Sequence, residues 1–202
     1  QLKVKLNIPA DKIIIGFFDT GIGRMGMFTE EEGFRMLSDV LRLLESNDNY
    51  YLLYKSRGDS NLSKNSKVKF IFDKLINHKR VFYVNKFIVN NYYSPQHFMG
   101  ISDLVVGAFV SSVPMEAVAG GVRTVCYAPP ERFGSGKFIL NTFPRFCARN
   151  YAEMEEFSNY WLNHCSEEEF LEFQNKYIKK YVDSHCDGKA LNRLYELLKN
   201  GN

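Results

Sequence analysis

Three groups of residues have the types and spacing needed to hold an anion. The first is Ser111-Ser112-Val113-Pro114-Met115-Glu116. Two hydroxyls stand just before a proline, a residue tolerated in the first turn of a helix, and a helix start presents unsatisfied N–H groups at its positive dipole end. A diphosphate fits such a place. Glu116, one turn further in, can accept hydrogen bonds from a ribose diol. The plainer alternative is that Ser112 caps the helix and Glu116 only favours its first turn. The second group is Asp19-Thr20-Gly21-Ile22-Gly23-Arg24-Met25-Gly26. Its glycines permit a left-handed backbone and close approach to a phosphate, and Arg24 supplies a fixed positive charge. Gly21, Gly23 and Gly26 give the spacing G-x-G-x-x-G, but the next helix signal comes only at Thr29. The dinucleotide fingerprint needs its helix to begin inside the motif, so a nicotinamide dinucleotide is not expected. Phosphate contact and an unliganded turn stay open as alternatives. The third group is Lys55 and Arg57, paired cations at a strand end that suit a phosphate or an acidic sugar, or simply a solvated strand end.

No catalytic residue is assigned by spacing. His97, in Ser94-Pro95-Gln96-His97, could face the same cleft, while His78 and His164 sit near helix ends. The four cysteines, Cys126, Cys147, Cys165 and Cys186, fall about twenty residues apart with no CxxC pair, which reads as reduced thiols in a cytosolic protein. No metal motif is expected, and no cofactor apart from a nucleotide-bearing substrate. With a formal charge of +3 and no polybasic run, nucleic-acid binding is not expected either. No apolar run reaches membrane-spanning length.

The elements that must carry these groups alternate. Lys12 to Phe18 is a continuous apolar run, as in a strand buried on both faces. Thr29 and Glu32 form a capping box ahead of a helix with Phe34, Leu37, Val40, Leu41 and Leu44 on one side. Strands follow at Tyr50 to Tyr54, Val81 to Val84 and Asp103 to Gly107, separated by a helix with Val68, Ile71, Phe72, Leu75 and Ile76 and by a short one opened by Ser94-Pro95. Val122 to Tyr127 is the last expected strand. From Tyr151 the pattern is helical, with a second capping box at Ser166 and Glu169 and a final stripe of Ala190, Leu191, Leu194, Leu197 and Leu198. This alternation predicts an α/β fold: a Rossmann-like open parallel sheet with helices on both faces. Residues 1–202 are read as one nucleotide-binding domain whose helices from 151 to 202 pack back on the sheet, because their stripes need a partner surface.

Within this frame the segment Ile101 to Val125, with its strand Asp103-Leu-Val-Val, the Ser111-Ser112 turn and the helix Glu116-Ala-Val-Ala-Gly-Gly, resembles the C-terminal domain of GT-B glycosyltransferases. It is also similar to the related CDP-glycerol glycerophosphotransferases and surface-carbohydrate biosynthesis proteins. Asp187-Gly188-Lys189-Ala190, followed by Asn192-Arg193-Leu194, looks like the ending common in those proteins. The resemblance departs at Gly121, followed here by Val122-Arg123 where the family has Val-Pro.

Carried over, it implies one half of a GT-B fold, with Ser111 and Ser112 facing the diphosphate and Glu116 the ribose. Gly21, Gly23 and Arg24 would then close on the phosphates from the first strand. The implied function is the donor-nucleotide-binding domain of a nucleotide-sugar-dependent glycosyltransferase in polysaccharide or glycoconjugate synthesis, an enzyme incomplete without an N-terminal acceptor domain. Its partners would be a nucleotide sugar and a glycan or lipid-linked acceptor. Its place would be cytoplasmic, with a peripheral position at the inner face of a membrane as a variant. Two alternatives are a teichoic-acid type CDP-alcohol phosphotransferase domain and a non-catalytic GT-B-like scaffold module. A non-hydrolysing sugar-nucleotide epimerase shares the fold but would need its own second domain.

Overall fold

In the strand Ile13–Phe18 (β1) Ile15 and Phe17 enter one core while Ile14 and Phe18 enter another, and all four are buried. A strand of this kind belongs in the middle of a covered sheet, and that is where it lies. The computed structural model describes residues 2–19, 22, 29–56, 66–84, 94–108, 111–127, 139–182, 184–185, 187 and 189–200. Its strands continue with Tyr50–Lys55 (β2), Val81–Val84 (β3), Leu104–Ala108 (β4), Thr124–Tyr127 (β5) and Cys147–Ala148 (β6). They form one six-stranded sheet in the order β3-β2-β1-β4-β5-β6, and every pairing is parallel.

β6 lies beyond the strand expected to be last. Two residues carry too short a pattern to be legible, and β6 exists because Phe146 O accepts the Cys126 N–H at 2.7 Å. The register sets Cys126 opposite Cys147, so two thiols remote in sequence become neighbours within the sheet. Cys126, Cys147 and Cys165 are all free.

One face of the sheet carries Glu30–Glu45 (α2), Ser66–Ile76 (α3) and Tyr151–Asn159 (α6) over the larger core. The capping box at α2 forms as expected: the Glu32 N–H donates to Thr29 Oγ1, and the Thr29 N–H donates to the Glu32 carboxylate at 2.6 Å. The other face carries Leu2–Lys5 (α1), a short helix the sequence pattern does not announce, with Pro95–Met99 (α4) and Ser112–Ala119 (α5). Leu6, Ile8, Phe98, Met99 and Ala117 fill the core there.

After α6 the chain continues through a π-turn at Tyr160–His164, the helix Glu167–Phe173 (α7), a second π-turn at Gln174–Ile178 and the short Lys179–Tyr181 (α8). Trp161, Phe170, Phe173 and Ile178 are buried in the larger core, with Trp161 and Phe173 centroids 5.0 Å apart. The Trp161 indole N–H donates to Arg145 O at 2.7 Å. Residues 151 to 178 therefore do pack back on the sheet.

The last helix, Ala190–Asn200 (α9), does not follow them. Leu191 is 78% exposed and Leu198 72%, with Leu194, Tyr195 and Leu197 exposed as well. What secures this helix is local: Arg193 pairs with both carboxylate oxygens of Asp187 at 2.8 Å, and the Lys189 N–H donates to the same carboxylate. The expectation that the whole 151–202 segment seals onto the sheet is corrected for α9.

Candidate functional site

Strand order reverses between β1 and β4. From β1 the chain proceeds to β2 and β3 on one side, then crosses to β4 and β5 on the other. Connections leaving the carboxyl ends of β1 and β4 diverge, and the crevice between them is where an open α/β sheet receives ligands. The first two anion-binding groups of the sequence follow these two strands.

Ser111 is the N-cap of α5, with an extended backbone at φ −118° and ψ 176°, and Ser112 is the first helical residue. The cap therefore falls one residue earlier than the sequence reading that made Ser112 the cap. At α2, α6 and α7 the capping side chain accepts the N–H of the residue three positions on: Thr29 from Glu32, Asn150 from Glu153, Ser166 from Glu169. Ser111 makes no such bond. The reason is chemical: the residue three positions on is Pro114, which has no N–H. The hydroxyl of Ser111 is thus uncommitted to its own helix, and the N–H groups of Ser111, Ser112 and Val113 open the first turn.

A glycine lets α5 lie so close to the strand before it. A Cβ on Gly107 would stand 2.6 Å from Pro114 Cγ, too close for any side chain. Gly107 thus brings the start of α5 down onto the end of β4. A second glycine does similar work for the loop after β1: a Cβ on Gly33 of α2 would meet Ile22 Cγ2 at 2.3 Å. Ile22 is buried there and ties the Gly-rich loop to α2. Gly21, Gly23 and Arg24 themselves lie outside the described residues, as does Arg57.

Glu116 is exposed on α5, and its carboxylate accepts the Gln96 side-chain N–H from α4 at 2.8 Å. Lys55 ends β2 and points, like Leu53, to the face carrying α4 and α5; its ammonium lies 5.8 Å from the Phe98 ring centroid of α4. Partial burial lowers the Lys55 pKa from its ordinary value. α4 is thus the element that Lys55 and Glu116 both reach. His97 belongs to the same short helix, but its Nδ1 is taken up by Ser94, at 3.1 Å from the backbone N and 2.9 Å from Oγ. It serves as a capping group there.

Two polar pairs at strand ends carry no role in the sequence reading. Asp19, just past β1, is buried and accepts the Tyr54 hydroxyl at 2.6 Å. Burial first, and the neighbouring carboxylate second, push the Tyr54 hydroxyl pKa well up, so Tyr54 stays a donor that fixes the root of the Gly-rich loop. At the end of β5 the Tyr127 hydroxyl donates to Asp39 of α2. Burial raises the Asp39 carboxyl, against the opposing hydrogen bond from Tyr127 and the charges of Arg42 and Arg35. Neither pair shows a periodic or motif signal, since each partner is remote in sequence. A further remote link holds the site helix from behind: buried Gln174, in the second π-turn, donates to Val118 O at 2.8 Å. Among the described residues no cluster of His, Cys, Asp or Glu could hold a metal. No helix among them is long and apolar enough to cross a membrane.

No family model matches the chain, and no curated protein matches it in sequence. Solved structures do match. A glycosyltransferase from Rickettsia africae ESF-5 aligns with a TM-score of 0.60 at 17% identity, over 98% of this chain and 51% of that one. A UDP-GlcNAc 2-epimerase from Neisseria meningitidis, bound to UDP-GlcNAc, aligns at 0.58 and 13% identity, over 98% and 49%. The wall teichoic acid polymerase TagF aligns at 0.55 and 17%, over 99% and 46%. The chain spans about half the length of these structures. At such identities the likeness is one of fold, and the fold is one half of the GT-B architecture.

Proposed function

We propose that this chain is the donor-nucleotide-binding domain of a nucleotide-sugar-dependent glycosyltransferase acting in polysaccharide or glycoconjugate synthesis. The observation that carries the reading is the start of α5. It opens at the topological switch point, on a serine whose hydroxyl Pro114 excludes from capping, and it is pressed against β4 at Gly107. A diphosphate placed there would accept N–H bonds from the first turn and hydroxyl bonds from Ser111 and Ser112. Glu116, oriented by Gln96, would accept from the ribose diol. Lys55 is a cation on the same side of the sheet, and Gly21, Gly23, Arg24 and Arg57 are assigned to the phosphate side by their place in the sequence. The nucleotide sugar is substrate, with no further cofactor. A second α/β domain would supply the glycan or lipid-linked acceptor site and the catalytic base.

A CDP-alcohol phosphotransferase is the second reading, supported by the TagF alignment over 99% of this chain. Both readings use the same diphosphate subsite and differ in the base and the group transferred. Calorimetric titration with UDP, GDP and CDP and their sugar or glycerol conjugates separates them. The expected result is selective binding of one nucleoside diphosphate sugar. Loss of either serine hydroxyl should weaken binding by about 1–2 kcal/mol, as for a hydrogen bond to a charged group. Glu116→Ala should weaken ribonucleotides more than deoxyribonucleotides. Unchanged nucleotide binding in the Ser111→Ala/Ser112→Ala double variant would reduce the motif to a helix start.

A further inference from the structure

The sheet register gives two thiols a relation that the nucleotide reading does not use. Cys126 in β5 stands opposite Cys147 in β6, and register partners of paired strands project to the same side. Both are buried in the larger core and both are free. The two thiols lie close enough to interact: burial first, and the Cys147 side chain second, push the Cys126 thiol pKa well up. Cys126 is therefore held protonated. The Cys147 thiol donates to Leu140 O at 3.5 Å. Cys165 is engaged elsewhere, its thiol donating to Ser166 O at 3.4 Å.

We propose that Cys126 and Cys147 are a modification site, a dithiol that hydrogen peroxide oxidises reversibly to a disulfide tying β6 to β5. Paired strands run about 4.8 Å apart, within the Cα separation that a disulfide spans. Bridged Cβ atoms sit about 3.8 Å apart, so closure draws the two strands together by up to about 1 Å. β6 allows this movement, because it is two residues long and lies at the sheet edge with β5 as its neighbour. The same placement decides which sulfur reacts first. Opening β6 breaks a single short pairing, and Cys147 is 8% exposed against 0% for Cys126. The Cys147 sulfur attacks one peroxide oxygen, the O–O bond breaks, and the thiol proton leaves with the departing hydroxide as water. This makes a sulfenic acid at Cys147. The Cys126 sulfur then displaces the sulfenic hydroxyl, which takes the Cys126 proton and leaves as a second water. Two thiols and one peroxide thus give one disulfide and two waters. A bond that pulls its strands inward is the more easily reduced, so glutathione reopens it.

The variant Cys165→Ser/Cys186→Ser keeps Cys126 and Cys147 as its two cysteines and provides the test. On treatment with hydrogen peroxide it should lose about 2 Da, the mass of two hydrogens, and proteolysis should release a peptide pair linked through positions 126 and 147. Glutathione should restore the starting mass. Adding Cys126→Ala should stop the reaction at a sulfenic acid on Cys147, which dimedone traps. Adding Cys147→Ala instead should leave Cys126 unlabelled, because burial shields it. Should these variants misfold, differential alkylation of the parent protein gives the same answer: peroxide should protect Cys126 and Cys147 together and in equal measure. The proposal is overturned if the pair stays reduced until denaturant is added, or if dimedone marks Cys126 in place of Cys147. It is equally overturned if the bond forms only between two molecules, or if glutathione fails to reopen it. None of these readouts involves a nucleotide, so the donor-site reading stands or falls separately.

Discussion

Both α7 and α9 place apolar residues at three- and four-residue spacings, and both start from a locally secured first turn. In α7 the Ser166 hydroxyl accepts the Glu169 N–H while the Glu169 carboxylate accepts the Ser166 N–H. Its apolar residues Phe170 and Phe173 are buried against Trp161 and Phe143, and Arg123 adds an ion pair to Glu167 at 2.7 Å and a position over the Phe170 ring. In α9 the Asp187–Arg193 pair does the securing, and the leucines face outward. Amphipathicity therefore states that a helix wants a partner surface and does not state which one. Arg123 and Gln174 tie α7 and its π-turn to β5 and α5, across more than forty residues of chain. Among the described residues α9 has no equivalent side-chain tie, and its acid–base partners lie within six residues of one another.

The comparison can be broken most forcefully at Phe173. Phe173→Ala removes a buried ring that meets Trp161, Phe143 and Phe146, and should cost about 3–5 kcal/mol of stability, read as a lower denaturant midpoint. A loss below 1 kcal/mol would mean that α7 is as loosely held as α9. The next effect in size is Gly107→Ala, where the new methyl meets Pro114 and must displace α5. About 1–3 kcal/mol should be lost, with nucleotide affinity falling in the same variant.

Leu194→Ala on the exposed face should change stability by no more than about 0.5 kcal/mol, which chemical denaturation measures directly. A larger loss would show α9 sealed against protein. The smallest effect concerns pH. Asp187 has its carboxyl lowered to about 2, chiefly by the hydrogen bond from Arg193 and then by the Lys189 N–H. Because the folded pKa lies below the unfolded one, the pair helps α9 fully above about 4 and loses its hold as the pH falls through about 2. Far-UV ellipticity of the parent should show a small helical loss in that window that Asp187→Asn lacks.

The site was legible in unequal parts. The Ser111–Glu116 segment stands out because a proline, two hydroxyls and a following Gly-Gly occur together after a buried strand, all of it local. Lys55 was legible as a strand-end cation, but its approach to Phe98 was not, because that contact joins β2 to α4 across more than forty residues. Asp19 sits at the mouth of the Gly-rich loop in the sequence, yet its pairing with Tyr54 depends on β1 and β2 being neighbours. Gly107 looked like an ordinary strand residue. Its importance lies in what a Cβ there would strike, which no reading of spacing reveals.

The sequence by itself determined the periodicities: two-sided apolar runs for β1 and β4, capping boxes at Thr29 and Ser166, and the alternation that makes a parallel sheet the only economical arrangement of these elements. Those signals are local because hydrogen bonding within a helix turn and the choice of face along a strand are settled among near neighbours. Tertiary structure alone decided the strand order that opens a crevice between β1 and β4, the brief β6 that brings Cys147 beside Cys126, and the fate of the two C-terminal helices. Each of these depends on surfaces meeting across long stretches of chain. Whether an apolar stripe is buried is fixed by the shape and chemistry of the opposing surface, which the stripe's own residues do not encode.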